Sequence, residues 1–429
     1  MLRRGDRPKR RRGRLGRRGR SLLLVLLVSV AVLDSAVLAG AAVLHARRLE
    51  RVTGTNAVTA PAVEAQRRTG AFKTQIEYAA LFSAEGHRVT SEVAWDDEWF
   101  FEDASTYNAE LSHTCAVLSA VANAESSYYQ QGSTAPAYAE HAFAALGFDE
   151  VCTASYRYRS EVLDEVLGVL DGTDVVAYTL ATKRVRSSET GAEKELCVVV
   201  VRGSYGSEWL SNIKIENAEG DPDHLGFTLA AQEIVADLEQ RAAELDPDVE
   251  RSYLFCGHSR GGAVANLLAS YADGTGVLAT AQDVRAYTFA TPNCTSAADA
   301  RDAAYDNIFN VLNPADLVPQ LPLESWGYER YGQDVWLPGV GDTSFSALSD
   351  AMTASYLKTM GTECPAELED RATVEGFVST VESSVSSFDE LISPEGLVEL
   401  AGACVQIDVL HLLSNHYPNT YIAWLDALR

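Results

Sequence analysis

The chain has 429 residues, 47% of them hydrophobic, enough for one large globular domain with accessory segments. Its charge is uneven: residues 1–20 hold 11 Lys or Arg against one acid, so with a formal total of −25 the remainder carries −35. An acidic body excludes nucleic-acid binding, which needs a basic face, and the acidity reads as a device for solubility. None of the seven cysteines sits in a C-x-x-C pair, so no metal site is expected.

Residues 1–20 form a basic tail, expected in the cytoplasm. Residues 21–45 are long and apolar enough to cross a bilayer, and the positive cluster before them sets the rest of the chain outside. The reading is a membrane anchor, interrupted by Asp34. A signal peptide cut near Ala39-Gly40-Ala41, giving a secreted product, is the alternative. Residues 46–70 read as a polar stalk. Residues 71–170 read as an N-terminal helical extension: residues 77–103 mix a helical piece with short extended runs, and 107–124, 135–146 and 161–170 have helical spacing. Cys115 with Cys152, and Cys364 with Cys404, are candidate disulfides in an exported protein. Cys197 and Cys256 fall in expected core strands and read as buried thiols.

The domain 171–429 begins with a strand over 174–182. Residues 195–201, Glu-Leu-Cys-Val-Val-Val-Val, read as a strand covered on both faces. A helix over 227–245, a strand over 252–256 and a helix over 260–272 follow. Next come a strand over 283–291, a helix over 296–305 and a strand over 307–312. Strands alternating with helices imply an α/β fold with a mostly parallel sheet and a site beyond the strands' carboxyl ends. Gly203, Ser259 and Asp316 all fall just after such ends. Residues 343–404 read as a helical insertion, a candidate cap.

The chemistry concentrates at Gly257-His258-Ser259-Arg260-Gly261-Gly262. Strand, tight turn and helix surround a G-x-S-x-G match, the context in which a serine hydroxyl is pushed out at the end of a sheet. Ser259 is the expected nucleophile. It needs a base to take its proton and an acid to orient the base. Asp316, in Asn313-Pro314-Ala315-Asp316-Leu317-Val318-Pro319, follows a strand and breaks into a loop. His258 adjoins the serine and is expected to point away. His411 is flanked by apolar residues and reads as a neutral core histidine. His416 precedes Tyr417-Pro418, where the chain should break toward extended geometry and free the imidazole. Ser259, Asp316 and His416 stand in the serine–acid–histidine order of the α/β-hydrolase fold.

Several further stretches carry a resemblance. Val201-Arg202-Gly203-Ser204 is followed by Trp209 and Asn212. His224-Leu225-Gly226-Phe227, Thr288-Phe289-Ala290-Thr291-Pro292, and Tyr421 beyond His416 recur in the same order. With the serine and aspartate motifs, they make the chain resemble the class 3 lipases, the α/β-hydrolase family of the fungal triacylglycerol lipases. The resemblance covers about residues 195–340 and the C-terminus. It implies a serine carboxylester hydrolase with Ser259, Asp316 and His416 as triad, and Ser204 with the N–H of Arg260 as oxyanion hole. It implies a lipid or other acyl-ester substrate and no cofactor or metal. Two departures stand out: Arg260 replaces a leucine, and the stretch after Ser204 is acidic (Glu208, Glu216, Glu219, Asp221, Asp223) rather than an apolar lid. A peptidase, amidase or thioesterase on the same scaffold, and an inactive hydrolase-fold binding protein, remain as alternatives.

Overall fold

A computed structural model of the chain describes residues 68–81, 87–130, 137–156, 176–203, 222–244, 248–276, 278–391 and 393–429. The 21–45 span, the expected helix at 161–170, Ser204 and the acidic residues 208–221 lie outside them. Among the described residues no single helix is long and apolar enough to cross a membrane. Val58–Arg429 forms one compact unit.

The first described element is a hairpin, β1 (Phe72–Ala79) antiparallel to β2 (Arg88–Trp95). Its residues alternate, as a half-covered strand requires. Ile76, Tyr78, Val89, Val93 and Trp95 are buried, whereas Lys73, Gln75 and Glu77 are exposed. Helices α1 (Ala109–Gln130) and α2 (Tyr138–Ala145) follow. The segment expected to be a helical extension therefore contains a hairpin as well as helices, because its apolar residues near 76 and 93 recur every second position.

The central sheet has seven strands: β3 (Glu150–Cys152), β4 (Tyr178–Arg186), β5 (Glu193–Val201), β6 (Glu250–His258), β7 (Val284–Phe289), β8 (Ile308–Leu312) and β9 (Gln333–Trp336), in sheet order equal to chain order. β3, β4 and β5 pair antiparallel, and every pairing from β5 to β9 is parallel. This is the expected α/β-hydrolase arrangement with a mostly parallel sheet. The crossovers include α3 (Leu225–Glu244) between β5 and β6, and α4 (Arg260–Thr275) between β6 and β7.

The apolar runs work as two-sided strands. Val198, Val200, Leu254 and Cys256 enter one core with α1, α2 and the hairpin, while Val199, Val201, Tyr253 and Phe255 enter the opposite core with α3 and α4. One expected element is absent. Residues 296–305 form no helix beyond a single 3₁₀ turn, Ala303–Tyr305. Backbone bonds from Ser296 to Pro222 and from Thr295 to Glu329 tie the start of this stretch to neighbouring loops. Arg301 binds Glu329 and Asp334. Tertiary pairing overrides the local helical preference.

The insertion is helical, as expected: α5 (Phe345–Met360), α6 (Asp370–Ser384), α7 (Phe388–Leu391) and α8 (Pro394–Cys404). Val374, Phe377, Val381 and Phe388 form a third core against Leu317 and Leu323 of the loop after β8. Two short turns, α9 (Val409–Leu412) and the 3₁₀ turn Leu413–His416, lead to the last helix, α10 (Pro418–Leu428). All seven cysteines are free thiols, so neither expected disulfide is present. Cys115 sits in the core against Cys256, where burial pushes its thiol well above the usual range, and Cys364 packs on Met352 at 3.8 Å.

Candidate active site

β6 ends at His258 and α4 begins at Arg260, so Ser259 alone makes the turn, with φ 58° and ψ −127°. A side chain at positive φ costs about 1–3 kcal/mol, and such strain persists only where the surroundings impose it. Here they do. Ser259 N donates to Phe289 O at 2.8 Å, and a Cβ at Gly257 would run into the carbonyl of Gly261. A Cβ at Gly261 would strike the carbonyl of Val201. The first amide of α4 to find an acceptor within the helix is Ala263 N, on Ser259 O at 3.1 Å. The amides of the first turn of α4 precede that ladder and point out of the helix end, beside the serine.

The expected acid and base meet. His416 Nδ1 lies 2.8 Å from Asp316 Oδ2. A carboxylate can only accept, so Nδ1 carries the hydrogen and Nε2 is left for a proton from elsewhere. Tyr417 is extended, with φ −68° and ψ 141°, as its place before Pro418 dictates. Both partners are buried, at 7% and 1% exposure. The serine end comes close too: the rings of His258 and His416 stand 4.8 Å apart, and His258 directly precedes Ser259. Among the described residues the Ser259 hydroxyl makes no hydrogen bond. Such bonds commonly form only when substrate closes the site.

Five residues that sequence reasoning undervalued hold this arrangement. Tyr421 OH donates to the same Asp316 Oδ2 at 2.8 Å, while Val318 N donates to Oδ1 at 3.0 Å. Burial, then the Asp316 charge, pushes the Tyr421 phenol far above its usual range, so it stays a donor. The spacing of Tyr421 from His416 is the only signal the sequence gives for it. Asn313 Nδ2 donates to the Asn415 carbonyl at 3.1 Å and so joins the acid loop to the base loop. His258, expected to point away, reaches the main chain of the base: its Nε2 lies 2.7 Å from the His416 carbonyl. Burial first, then the nearness of His416, holds the His258 imidazole well below its usual range, so it is neutral with its hydrogen on Nε2.

His411 is no core residue. Its side chain is 28% exposed and its Nε2 lies 2.8 Å from Asp370 Oδ1. Glu367, Asp370 and His411 bring donor atoms within 4.8 Å of one another, a spacing that suits a metal ion. Asp370 Oδ2 already accepts from Asn415 Nδ2 and Glu367 N, at 2.7 and 2.8 Å. Two cavities, of about 290 and 510 Å³, lie between the insertion and the acid loop, with Pro314, Gly339 and Arg371 lining both. Neither is lined by Ser259.

Comparison with known proteins bears on the same stretch. Residues 198–326 match the family model "Lipase (class 3)". The secreted mono- and diacylglycerol lipases A of Penicillium cyclopium and Penicillium camembertii are each 29% identical over 160 residues, 35% of this chain and 50% of theirs. The chain thus spans about half the length of these curated relatives. Among solved structures, the native Rhizomucor miehei lipase propeptide complex is 18% identical over 54% of this chain and 70% of its own, with a TM-score of 0.38. Over residues 198–326, which hold the serine, the aspartate and the end of β5, this chain is similar to the class 3 lipases, and the sheet beneath is that of an α/β-hydrolase.

Proposed function

We propose that the chain is a serine carboxylester hydrolase of the lipase kind, with Ser259 as nucleophile, His416 as general base and Asp316 as the acid that orients it. The observation that carries this reading is the strained serine at the end of β6, with a buried, Nδ1-bonded histidine beside the preceding residue.

The chemistry follows from those positions. His416 Nε2 takes the Ser259 proton as Oγ attacks the ester carbonyl, and the imidazolium that forms is held by Asp316 through Nδ1. The oxygen that gains charge is met by the N–H of Arg260 at the head of α4 and by Ser204. Collapse expels the alcohol, which takes the proton from His416 Nε2. Water then repeats the sequence, releasing the acid and restoring the serine. The residues in these roles need no metal or redox group.

The names of the Penicillium relatives make partial glycerides the first substrates to try. We further propose that the domain works outside the cytoplasm, delivered by the 21–45 span as an anchor or a cleaved signal. The layout 1–20, 21–45, 46–70, 71–170 and 171–429, with its insertion at 343–404, belongs to the same proposal. A fluorophosphonate probe tests the enzyme reading: labelling of the wild type and none of Ser259→Ala is expected. An unlabelled, inactive wild type overturns it. A panel of p-nitrophenyl esters, monoglycerides, diglycerides and a thioester separates the lipase from its relatives in chemistry.

A further inference from the structure

The strand β4 accompanies β5 as far as Val201, whose partner is Tyr178, and Arg202 N still finds Ala177 O at 3.0 Å. Beyond that point Gly203 leaves the sheet with a buried N–H and no strand to receive it. A side chain takes over: Asn123 Oδ1 of α1 accepts from Gly203 N at 3.0 Å. Only the oxygen edge of an amide can face an N–H, so this bond also fixes the orientation of the Asn123 amide. Its other edge, Nδ2, is buried without a partner.

Asn123 is 2% exposed, and its neighbours Ala120, Val121, Ala122 and Ala124 are buried in the core. An apolar side chain there would avoid burying an unpaired amide nitrogen, so the position is explained by the acceptor it offers to Gly203. That acceptor lies close to the serine. A Cβ placed on Gly203 would fall 2.6 Å from the His258 carbonyl oxygen and 3.5 Å from both Asn123 Oδ1 and Ser259 Cβ. The glycine, the amide and the nucleophile share one small space. Nearby, Tyr156 OH donates to Ala122 O at 3.1 Å, which fixes α1 at the residue before Asn123.

We propose that Asn123 is a positioning residue: it holds the end of β5, through Gly203, in register with the Ser259 turn. The N-terminal extension thereby contributes to the active site. This inference rests on the hydrolase reading, in which the residue after Gly203 helps to bind the oxyanion. A donor loop displaced by even 1 Å costs about 100-fold in rate, and the loss falls on the transition state rather than on substrate binding.

The test is Asn123→Leu in the full chain, assayed with p-nitrophenyl butyrate and by the rate of fluorophosphonate labelling. We expect kcat and the labelling rate to fall together, by about 10- to 100-fold, with KM changed less than threefold. The control is Ser119→Ala, which removes the bond from Ser119 Oγ to Cys115 O on the same buried helix without touching Gly203. It should lower the melting temperature and leave kcat per folded molecule unchanged. Should Asn123→Leu fail to fold, Asn123→Ala, which adds no bulk, carries the same expectation. A folded Asn123 variant with wild-type kcat and labelling rate overturns the inference while the hydrolase reading stands. So does a Ser119→Ala variant that loses kcat to the same degree, because general loosening of α1 then explains both. A wild type that neither turns over ester nor takes the probe overturns both readings together.

Discussion

Two aspartate–histidine pairs lie in neighbouring segments of this molecule, with the same 2.8 Å contact, and one of them packs against His258, the residue before the strained Ser259 turn. Asn415 links them: its Nδ2 binds Asp370, and its carbonyl accepts from Asn313 in the acid loop. The pairs differ in which ring nitrogen is used. His416 is bound through Nδ1, so its outer nitrogen is free to take a proton from a group beyond it. His411 is bound through Nε2, which leaves only the nitrogen next to its own backbone. They differ also in exposure: both carboxylates are buried and take further donors, but the His411 side chain is 28% exposed against 9% for His416. An imidazole on a carboxylate is thus not by itself a base. The free nitrogen and the group beyond it decide.

The largest effects should fall on the inner pair. Ser259→Ala and His416→Ala are each expected to lower kcat by about 10⁴–10⁶ with the fold intact, and Asp316→Asn by about 10⁴. Turnover near wild type in His416→Ala breaks the comparison at once. Tyr421→Phe removes one donor to a buried carboxylate and should cost about 10- to 100-fold in kcat, read at constant melting temperature. If the loss appears only in stability, Tyr421 is packing and not part of what secures Asp316. In the outer pair, His411→Ala should leave kcat within about threefold and cost only about 1 kcal/mol in denaturant unfolding, since a partly exposed imidazole is screened by water. A hundredfold loss of kcat there would show that the linkage through Asn415 transmits to His416.

An effect on stability alone concerns a carboxylate outside both pairs. Burial raises Asp273 to about 7, against the Asn307 amide, whose hydrogen bond lowers it. A raised acid adds stability that is fully present below its unfolded value of about 4 and is lost as pH climbs through 7. Asp273→Asn should therefore flatten the stability profile between pH 4 and 7, by about 1–3 kcal/mol, without touching either pair. A slope that survives this substitution belongs to other groups.

Much of the inner pair was legible because its signals are local. The glycines around Ser259 answer backbone collisions within a few residues, and Pro418 dictates the break after His416. The two-sided strands announced themselves as unbroken apolar runs. What was not legible depends on distant partners. The hairpin alternates faithfully, but Ala79, Ala80 and Leu81 beside it imitate a helix. Residues 296–305 would be helical alone and are held otherwise by Glu329, Asp334 and Pro222. His258 and Asn313 act on segments 158 and 102 residues away, and Asn123 on one 80 residues away. No spacing rule reaches so far.

His416 comes 100 residues after Asp316, on the segment that leads into α10. That helix is seated on earlier elements: Asp426 accepts from Ser355 of α5, and Arg429 binds Glu110 of α1, at 2.7 and 2.8 Å. A ribosome making this protein has therefore finished the residues of the sheet, the Ser259 turn and the Asp316 loop while His416 is still unwritten. A chain cut short between that loop and His416 has the Ser259 turn and Asp316 but lacks the histidine. On the hydrolase reading proposed above, the order of synthesis therefore keeps Ser259 without its base until residue 416 is in place.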